Sequence, residues 1–231
     1  MDNRYYFKYL VLDKAIFDAQ EAQHMTKVRR CKVGDTITAF NGDGFDYNLE
    51  ITEIKKDSAV AKIISKTLNR AHNDTKPTVY LSMIKHDALS TAIDNLAELN
   101  VKAVKLFKSD FSVAVLDEKK LEKLKNIAIQ ASKQSERADI MDVEIIDKKD
   151  IENDCKDIKN VFFAYEDAEE KIQSFSGDFA VIIGPEGGFS KTEVEYFSTF
   201  AKTISLSKTI LRAEVACVSS VSALKAVNNE G

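Results

Sequence analysis

The chain has 231 residues, and its 37 acidic and 33 basic side chains give a formal net charge of −4. This length is enough for one large or two modest domains, and 44% hydrophobic with 30% charged residues is typical of a globular protein. No apolar run reaches the roughly 18 residues that a membrane span needs. The N-terminus lacks the basic-then-apolar order of a signal peptide, so we expect a cytoplasmic protein.

The three cysteines argue against a disulfide framework and against a metal site. Cys31, Cys155 and Cys217 are widely spaced, form no Cys-x-x-Cys pair and do not cluster with the three histidines. Cys217 lies on the apolar face of a predicted helix. We therefore expect a buried structural thiol there and no metal anywhere in the chain.

A short basic segment stands out from this acidic chain. Residues 24–32 contain four cations and no acid, so the segment carries +4 and the rest of the chain −8. A local basic patch of this kind favours a specific phosphate contact over general nucleic-acid binding. Cations at the end of a solvated helix, where they meet the helix dipole, explain the charges equally well.

The first part of the chain is predicted to be rich in β-strands. Strands are expected at 36–40, 45–51 and 59–64, and the Asn41–Gly44 turn between the first two is a hairpin signal because Asn and Gly tolerate positive φ. A short helix over 18–28 precedes them. This order predicts a small β-barrel with one helix, over residues 1–68.

A polar stretch at 69–75 is predicted to be a linker, and the second domain follows over 76–231. In that domain predicted strands and helices alternate, which is typical of a mainly parallel sheet with helices on both faces. The expected strands are 79–83, 103–107, 143–146, 161–164 and 179–183. The expected helices include 88–99 and 118–132.

A glycine-rich turn near the C-terminus is the strongest sign of a ligand site. The strand ending at Ile183 continues into Gly184–Gly188, and Ser190 with Glu193 forms a capping box that begins a helix. A tight strand-to-helix connection without a ligand is the plainer explanation. A ligand site is favoured because parallel sheets bind ligands at the carboxyl ends of their strands. Glu186 would repel a phosphate, so a neutral or cationic ligand is expected.

A second segment repeats this design about twenty residues later. Residues 206–211 offer backbone groups among apolar side chains, which suits a planar base held by main-chain hydrogen bonds. Arg212 and Glu214 then begin a helix rich in small residues. Beside the predicted pocket these two charges are more consistent with a functional role than with ordinary surface charge.

The residues 183–190 and 211–214 resemble the two signature motifs of the uridine-N3 ribosomal RNA methyltransferases of the SPOUT class. Residues 24–30 with 33–35 resemble the motif of that family's N-terminal PUA-like domain, and 134–137 resemble another motif in the middle of the chain. The resemblance therefore covers nearly the whole chain in the expected order.

The resemblance implies an α/β fold: a PUA-like RNA-binding β-barrel followed by a SPOUT domain with a deep trefoil knot. It implies a homodimer that uses S-adenosyl-L-methionine to methylate N3 of one uridine in the 16S ribosomal RNA of the small ribosomal subunit. The implied cofactor residues are Ala164, Tyr165, Glu166, Ile183, Gly184, Pro185, Glu186, Gly187, Gly188, Leu206, Ser207, Ile210 and Leu211. The implied catalytic residues are Arg212 and Glu214, and the implied RNA-binding residues are Arg4, Lys27, Arg29, Arg30, Gln134 and Arg137.

Several positions depart from the pattern of this family. Phe111 and Thr209 stand where arginines are usual, Val215 replaces a threonine, and Met141 stands where proline is common. Asn100 ends a segment, 97–100, whose usual form is Thr-Glu-Leu-Gly. Because these arginines are missing, a non-catalytic RNA-binding or ribosome-assembly factor is an alternative to the enzyme. A SPOUT enzyme acting on a ribose 2′-hydroxyl is a third possibility, which the motifs at 24–30 and 134–137 oppose.

Overall fold

The computed structural model describes residues 4–72, 75, 77–168, 170 and 172–228. These form two compact units. The first contains the described residues up to His72 and the segment Ser132–Ile140, and the second contains the other described residues. Parts of the predicted linker 69–75 and the ends of the predicted domains 1–68 and 76–231 lie outside the described residues.

The first unit is a curled six-stranded sheet with one helical segment. Its strands are β1 (Arg4–Tyr6), β2 (Tyr9–Val11), β3 (Lys14–Phe17), β4 (Thr36–Phe40), β5 (Phe45–Ile54) and β6 (Ala59–Leu68), in the order β1-β4-β5-β6-β3-β2. β1 pairs parallel with β4, and the other neighbours are antiparallel. Inward-facing aromatic and aliphatic side chains form its core, among them Tyr5, Phe7, Phe17, Tyr47 and Leu49.

The predicted strands at 36–40, 45–51 and 59–64 are confirmed, although β5 and β6 run further than expected. The hairpin at Asn41–Gly44 is confirmed as well: Gly42 and Gly44 have φ of 96° and 83°. The helix predicted over 18–28 is divided. It begins as α1 (Ala19–Gln23), capped by the Asp18 side chain, and continues as a π-helical turn, His24–Val28.

The second unit is built on a six-stranded parallel sheet. Its strands are β7 (Thr78–Ser82), β8 (Ala103–Phe107), β9 (Asp142–Ile145), β10 (Asn160–Ala164), β11 (Phe179–Ile183) and β12 (Lys202–Ile204), in the order β12-β10-β11-β7-β8-β9. All pairings in it are parallel, as predicted. The helices are α2 (His86–Glu98), α3 (Glu118–Gln134), α4 (Ile151–Asp154), α5 (Lys191–Ser198) and α6 (Ala213–Val227).

Side chains alternate across this sheet, so each face has its own hydrophobic core. Val79 and Leu81 pack on the side that carries α2 and α6, whereas Tyr80 packs on the side that carries Ile151 of α4 and Phe197 of α5. Helices thus cover both faces, which confirms the predicted arrangement. β12, only three residues long, was not predicted.

The predicted linker begins inside the first unit. Asn69 is 4% exposed, and its amide group donates to the carboxylate of Asp46 and to the carbonyl oxygen of Glu136. Buried Cys217 agrees with the expected structural thiol. Among the described residues, no helix is long and apolar enough to span a membrane.

Candidate functional site

Three loops of the second unit meet because the strands before them are neighbours in one parallel sheet. β10 ends at Ala164, β11 at Ile183 and β12 at Ile204, and β10 pairs with both of the others. Since the strands run in the same direction, the segments after all three leave the sheet at the same edge. Such an edge is where open α/β sheets bind ligands.

The glycine loop after β11 needs its glycines for two separate physical reasons. A Cβ on Gly184 would stand 2.6 Å from the ring of Phe189, so a side chain there meets an aromatic ring. Gly188 has φ of +72°, in the left-handed region, and its amide donates to the carbonyl oxygen of Pro185 at 3.0 Å. The loop therefore turns tightly and presents bare backbone.

Helix α5 begins directly after this loop with the predicted capping box, which the structure confirms. The Ser190 hydroxyl accepts from the Glu193 amide, and the Glu193 carboxylate accepts from the Ser190 amide. Glu193 is only 2% exposed, and its carboxylate also accepts from the Asp110 amide at 2.9 Å and from Lys148 Nζ at 2.8 Å. One buried carboxylate thus ties the start of α5 to two other segments.

The loop after β12 supplies backbone donors. Within the described part of the chain, the amide groups of Leu206, Ile210 and Leu211 donate no hydrogen bond, while the Thr209 amide donates to the Ser207 hydroxyl at 3.1 Å. Backbone groups that have no intramolecular partner are available to a polar ligand or to water. Ile210 is 90% exposed, so the loop also offers apolar surface.

The three loops enclose a pocket with an empty volume of about 660 Å³, part of which is open to solvent. The pocket contains two carboxylates, those of Glu166 and Glu186, among mainly apolar and backbone surface. Its lining comprises Ala164, Tyr165, Glu166, Ile183, Gly184, Pro185, Glu186, Gly188, Phe189, Leu206, Ser207, Thr209, Ile210, Leu211, Ala213 and Ala216.

The structure brings together every residue predicted to contact a cofactor except Gly187. That glycine faces the other way: a Cβ on it would stand 3.2 Å from Cβ of Phe111. Phe189, Thr209, Ala213 and Ala216 line the pocket but were not predicted as site residues. Phe189 directly follows the glycine motif, and the two alanines lie one helical turn apart, within and just after the motif at 211–214. Their position in or beside these motifs was the sequence signal that could have identified them.

Arg212 and Glu214, the predicted catalytic residues, stand at the start of α6 next to the pocket. Arg212 is the exposed N-cap residue, and its chain neighbours Leu211 and Ala213 both line the pocket. No ion pair or hydrogen bond between the side chains of Arg212 and Glu214 is present in the described part of the chain. The expected orientation of Arg212 by Glu214 is therefore not a direct contact here.

The basic segment of the first unit is exposed. Lys27, Arg29 and Arg30 are all solvent-accessible, and Lys27 belongs to the π-helical turn after α1. Arg30 has φ of +57°, which is unusual for a residue with a side chain. π-Helical turns occur frequently at functional sites. These cations are free to meet an anionic partner.

The other predicted RNA-binding residues are placed differently. Gln134 is exposed at the end of α3. The Arg4 side chain is 9% exposed, donates to Asp46 and to the carbonyl oxygen of Arg137, and lies over the ring of Phe40. Arg137 is 2% exposed. The Arg4 guanidinium is used inside the first unit, and the burial of both side chains gives no support to the RNA-binding role predicted for them.

The described residues contain no group of three or more His, Cys, Asp or Glu side chains that could hold a metal ion.

Comparison with known proteins then decides the family. The RNA methyltransferase domain family matches residues 71–225, and the RNA methyltransferase PUA domain family matches residues 17–64. Ribosomal RNA small subunit methyltransferase E from Helicobacter pylori is 30% identical, over 87% of this chain and 89% of its own length. The chain belongs to the RNA methyltransferase domain family.

Solved structures agree in fold. A predicted RNA methyltransferase from Thermotoga maritima is 29% identical, with a TM-score of 0.80, and the match covers 97% of this chain and 98% of that one. Ribosomal RNA small subunit methyltransferase E from Neisseria gonorrhoeae, solved bound to S-adenosyl methionine, has a TM-score of 0.86 at 23% identity, covering 99% and 98% of the two chains. The expected resemblance to this family is thereby confirmed over nearly the whole chain.

Proposed function

We propose that this protein transfers the methyl group of S-adenosyl-L-methionine to N3 of one uridine in the 16S ribosomal RNA of the small subunit. The observation that carries the proposal is the pocket formed by the loops after β10, β11 and β12. It lies within the matched methyltransferase domain, and its lining includes all the predicted cofactor residues except Gly187.

The chemistry of the pocket fits this cofactor. S-adenosyl-L-methionine supplies an electrophilic methyl group on a cationic sulfonium. The carboxylates of Glu166 and Glu186 give the pocket a negative character that suits a cation. The free amides of Leu206, Ile210 and Leu211 suit a planar base recognised through main-chain hydrogen bonds.

Catalysis in this site depends first on positioning. Methyl transfer is an in-line displacement, and a rigid pocket that holds the donor beside the acceptor lowers the entropic part of the barrier. The capping box at Ser190 and the hydrogen bonds of Glu193 stiffen the glycine loop that forms one wall. Uridine N3 must also lose its proton before it can attack.

We assign Arg212 the stabilisation of the uracil anion that forms when N3 loses its proton. Its guanidinium is exposed at the amino end of α6, where the helix dipole adds positive potential. A cation at uracil O2 or O4 stabilises the negative charge that develops there. Glu214, the residue after Ala213, is proposed to hold the Arg212 side chain in place when RNA is bound.

The same family membership supports three further proposals about the whole protein. The second unit is expected to contain the SPOUT trefoil knot, and two copies of the chain are expected to form a homodimer. Lys27, Arg29 and Arg30 are expected to contact RNA phosphates. A cytoplasmic location follows from the proposed substrate.

The decisive experiment is methyl transfer from labelled S-adenosyl-L-methionine to small ribosomal subunits that lack the modification, followed by nucleoside analysis. We expect N3-methyluridine. A different methylated nucleoside would support methyltransferase activity but show that the target is not uridine N3. The absence of any transfer, to subunits and to naked RNA, would favour the non-catalytic RNA-binding factor.

A matched pair of variants tests the role of Arg212. Arg212→Ala is expected to abolish transfer, while the affinity for S-adenosyl-L-methionine stays within about twofold of wild type. Lys208→Ala removes an exposed cation from the neighbouring loop that does not line the pocket, so it serves as the control. Normal turnover by Arg212→Ala would rule out the proposed role.

A further inference from the structure

Phe111 is an exposed aromatic ring held in a rigid turn at the rim of the pocket. The residue is 51% exposed, and its Cβ lies against Gly187, the one residue of the glycine loop that faces away from the pocket. Its ring therefore belongs to the surface beside the pocket rather than to the pocket itself.

The turn that carries Phe111 is anchored on both sides of the ring. The Asp110 amide donates to the buried carboxylate of Glu193 at 2.9 Å, and the Asp110 carboxylate accepts from the Ser190 hydroxyl at 2.5 Å. The Ser112 hydroxyl pairs with the Ser82 hydroxyl at 2.8 Å and accepts from the amide of buried Ser109. Residues flanking an exposed ring are thus fixed, so little entropy is lost when a partner covers it.

We propose that Phe111 is a stacking platform for an unpaired RNA base next to the target uridine. This inference rests on the proposed function. A target uracil has to leave its stack to reach a methyl donor in the pocket, which frees the faces of the neighbouring bases. Aromatic side chains are the usual platforms for such bases in single-stranded RNA.

The surroundings of the ring favour RNA over a second protein chain. Lys108 is exposed three residues before Phe111. Lys85 is exposed on another segment, and its amide donates to the Glu186 carboxylate directly beside Gly187. Exposed cations on these two segments complement the phosphate backbone of an RNA strand whose base stacks on the ring.

A cycle of protein and RNA changes tests the proposal directly. The probe is a fluorescent single-stranded oligonucleotide with a central uridine, compared with the same oligonucleotide carrying abasic nucleotides on both sides of that uridine. Phe111→Leu keeps an apolar side chain but removes the ring. We expect it to weaken binding of the intact oligonucleotide about 5- to 150-fold, the contribution of one stacked base, and to leave binding of the abasic one unchanged.

Phe111→Tyr and Phe111→Trp are expected to bind like wild type, because both retain a stacking ring. Val113→Ala, which shortens a 73%-exposed apolar side chain in the same segment, is the control and is expected to bind like wild type. Equal losses on intact and abasic RNA would overturn the proposal. A change of oligomeric state in Phe111→Leu, measured by light scattering, would also overturn it and would identify a contact with a second copy of the chain.

The readouts separate this inference from the proposed function. The affinity for S-adenosyl-L-methionine and the methyl transfer are measured on the same wild-type preparation. If the wild-type protein transfers no methyl group, but Phe111→Leu weakens binding of the intact oligonucleotide and not of the abasic one, only the proposed reaction is contradicted. If the wild-type protein transfers the methyl group, but Phe111→Leu affects neither oligonucleotide, only the role of Phe111 is contradicted.

Discussion

The Glu193 carboxylate accepts a hydrogen bond from the backbone amide of Asp110 at 2.9 Å, although the two residues are 83 positions apart in the chain. The same carboxylate caps α5 and pairs with Lys148. The glycine loop, Gly184–Gly188, ends two residues before Ser190, whose amide donates to this carboxylate. A side chain outside the pocket thereby fixes one wall of it.

Replacing Glu193 is expected to loosen that wall. Glu193→Ala leaves the Asp110 amide without its partner, takes away one of the two carboxylates that pair with Lys148, and removes half of the capping box. We therefore expect a loss of about 1–3 kcal/mol in the free energy of unfolding. Binding of S-adenosyl-L-methionine is expected to weaken as well. Urea unfolding and calorimetric titration measure the two effects.

Glu195→Ala is the matched control, because Glu195 is an exposed glutamate on the same helix. We expect it to change the free energy of unfolding by less than about 0.5 kcal/mol. Similar stability of the two variants would contradict the anchoring role of Glu193.

The carboxyl group of Asp110 predicts a pH dependence. Hydrogen bonds from Lys148 and Ser190 hold its pKa below its ordinary value. Since the folded state favours the charged form, its contribution is complete above the pKa of the unfolded chain, about 3.9, and is lost as the pH falls through the lower folded value. We expect Asp110→Asn to melt below wild type at pH 7, with the gap narrowing as the pH falls below about 3.9. A gap independent of pH would contradict this.

Much of the parallel sheet could be predicted from the sequence. β8 and β11 were predicted with the bounds observed, because each is a short apolar run between clear breaks. β1, β2, β3 and β12 were missed, since three or four residues show too little alternation to be recognised. The place of 132–140 in the first unit depends on long-range contacts such as Lys133 with Glu21, and no local pattern reveals them.

The loops that line the pocket could largely be predicted, because they carry distinctive residues. The residues that anchor these loops from elsewhere in the chain could not. Gly184–Gly188 signals a turn by composition alone. Lys148, by contrast, reaches Glu193 from a distant segment and looks in sequence like any surface lysine. The burial of Arg4 and Arg137 was equally invisible, because a basic residue gives no local sign of whether it meets solvent or an internal carboxylate.

Gly184 has to be a glycine for reasons of space. Gly184→Ala would place Cβ 2.6 Å from the Phe189 ring, which packs in turn on Phe163 and Phe197. Overpacking of this kind typically costs about 1–3 kcal/mol. We expect a lower melting temperature and weaker binding of S-adenosyl-L-methionine. When Phe189→Leu has already removed the ring, adding Gly184→Ala should cost much less stability than it costs in the wild-type protein. An equal cost in both backgrounds would contradict a steric cause.

The exposed cations of the basic segment predict the salt dependence of RNA binding. Lys27→Gln with Arg30→Gln removes two charges from the surface of the first unit. If both contact phosphates, the slope of log affinity against log salt should fall by about 0.7 for each on single-stranded RNA. Lys55→Gln with Lys56→Gln removes the same charge from an exposed turn of that unit and should leave the slope nearly unchanged. Equal slopes for the two pairs would mean that net charge, and not this segment, attracts the RNA.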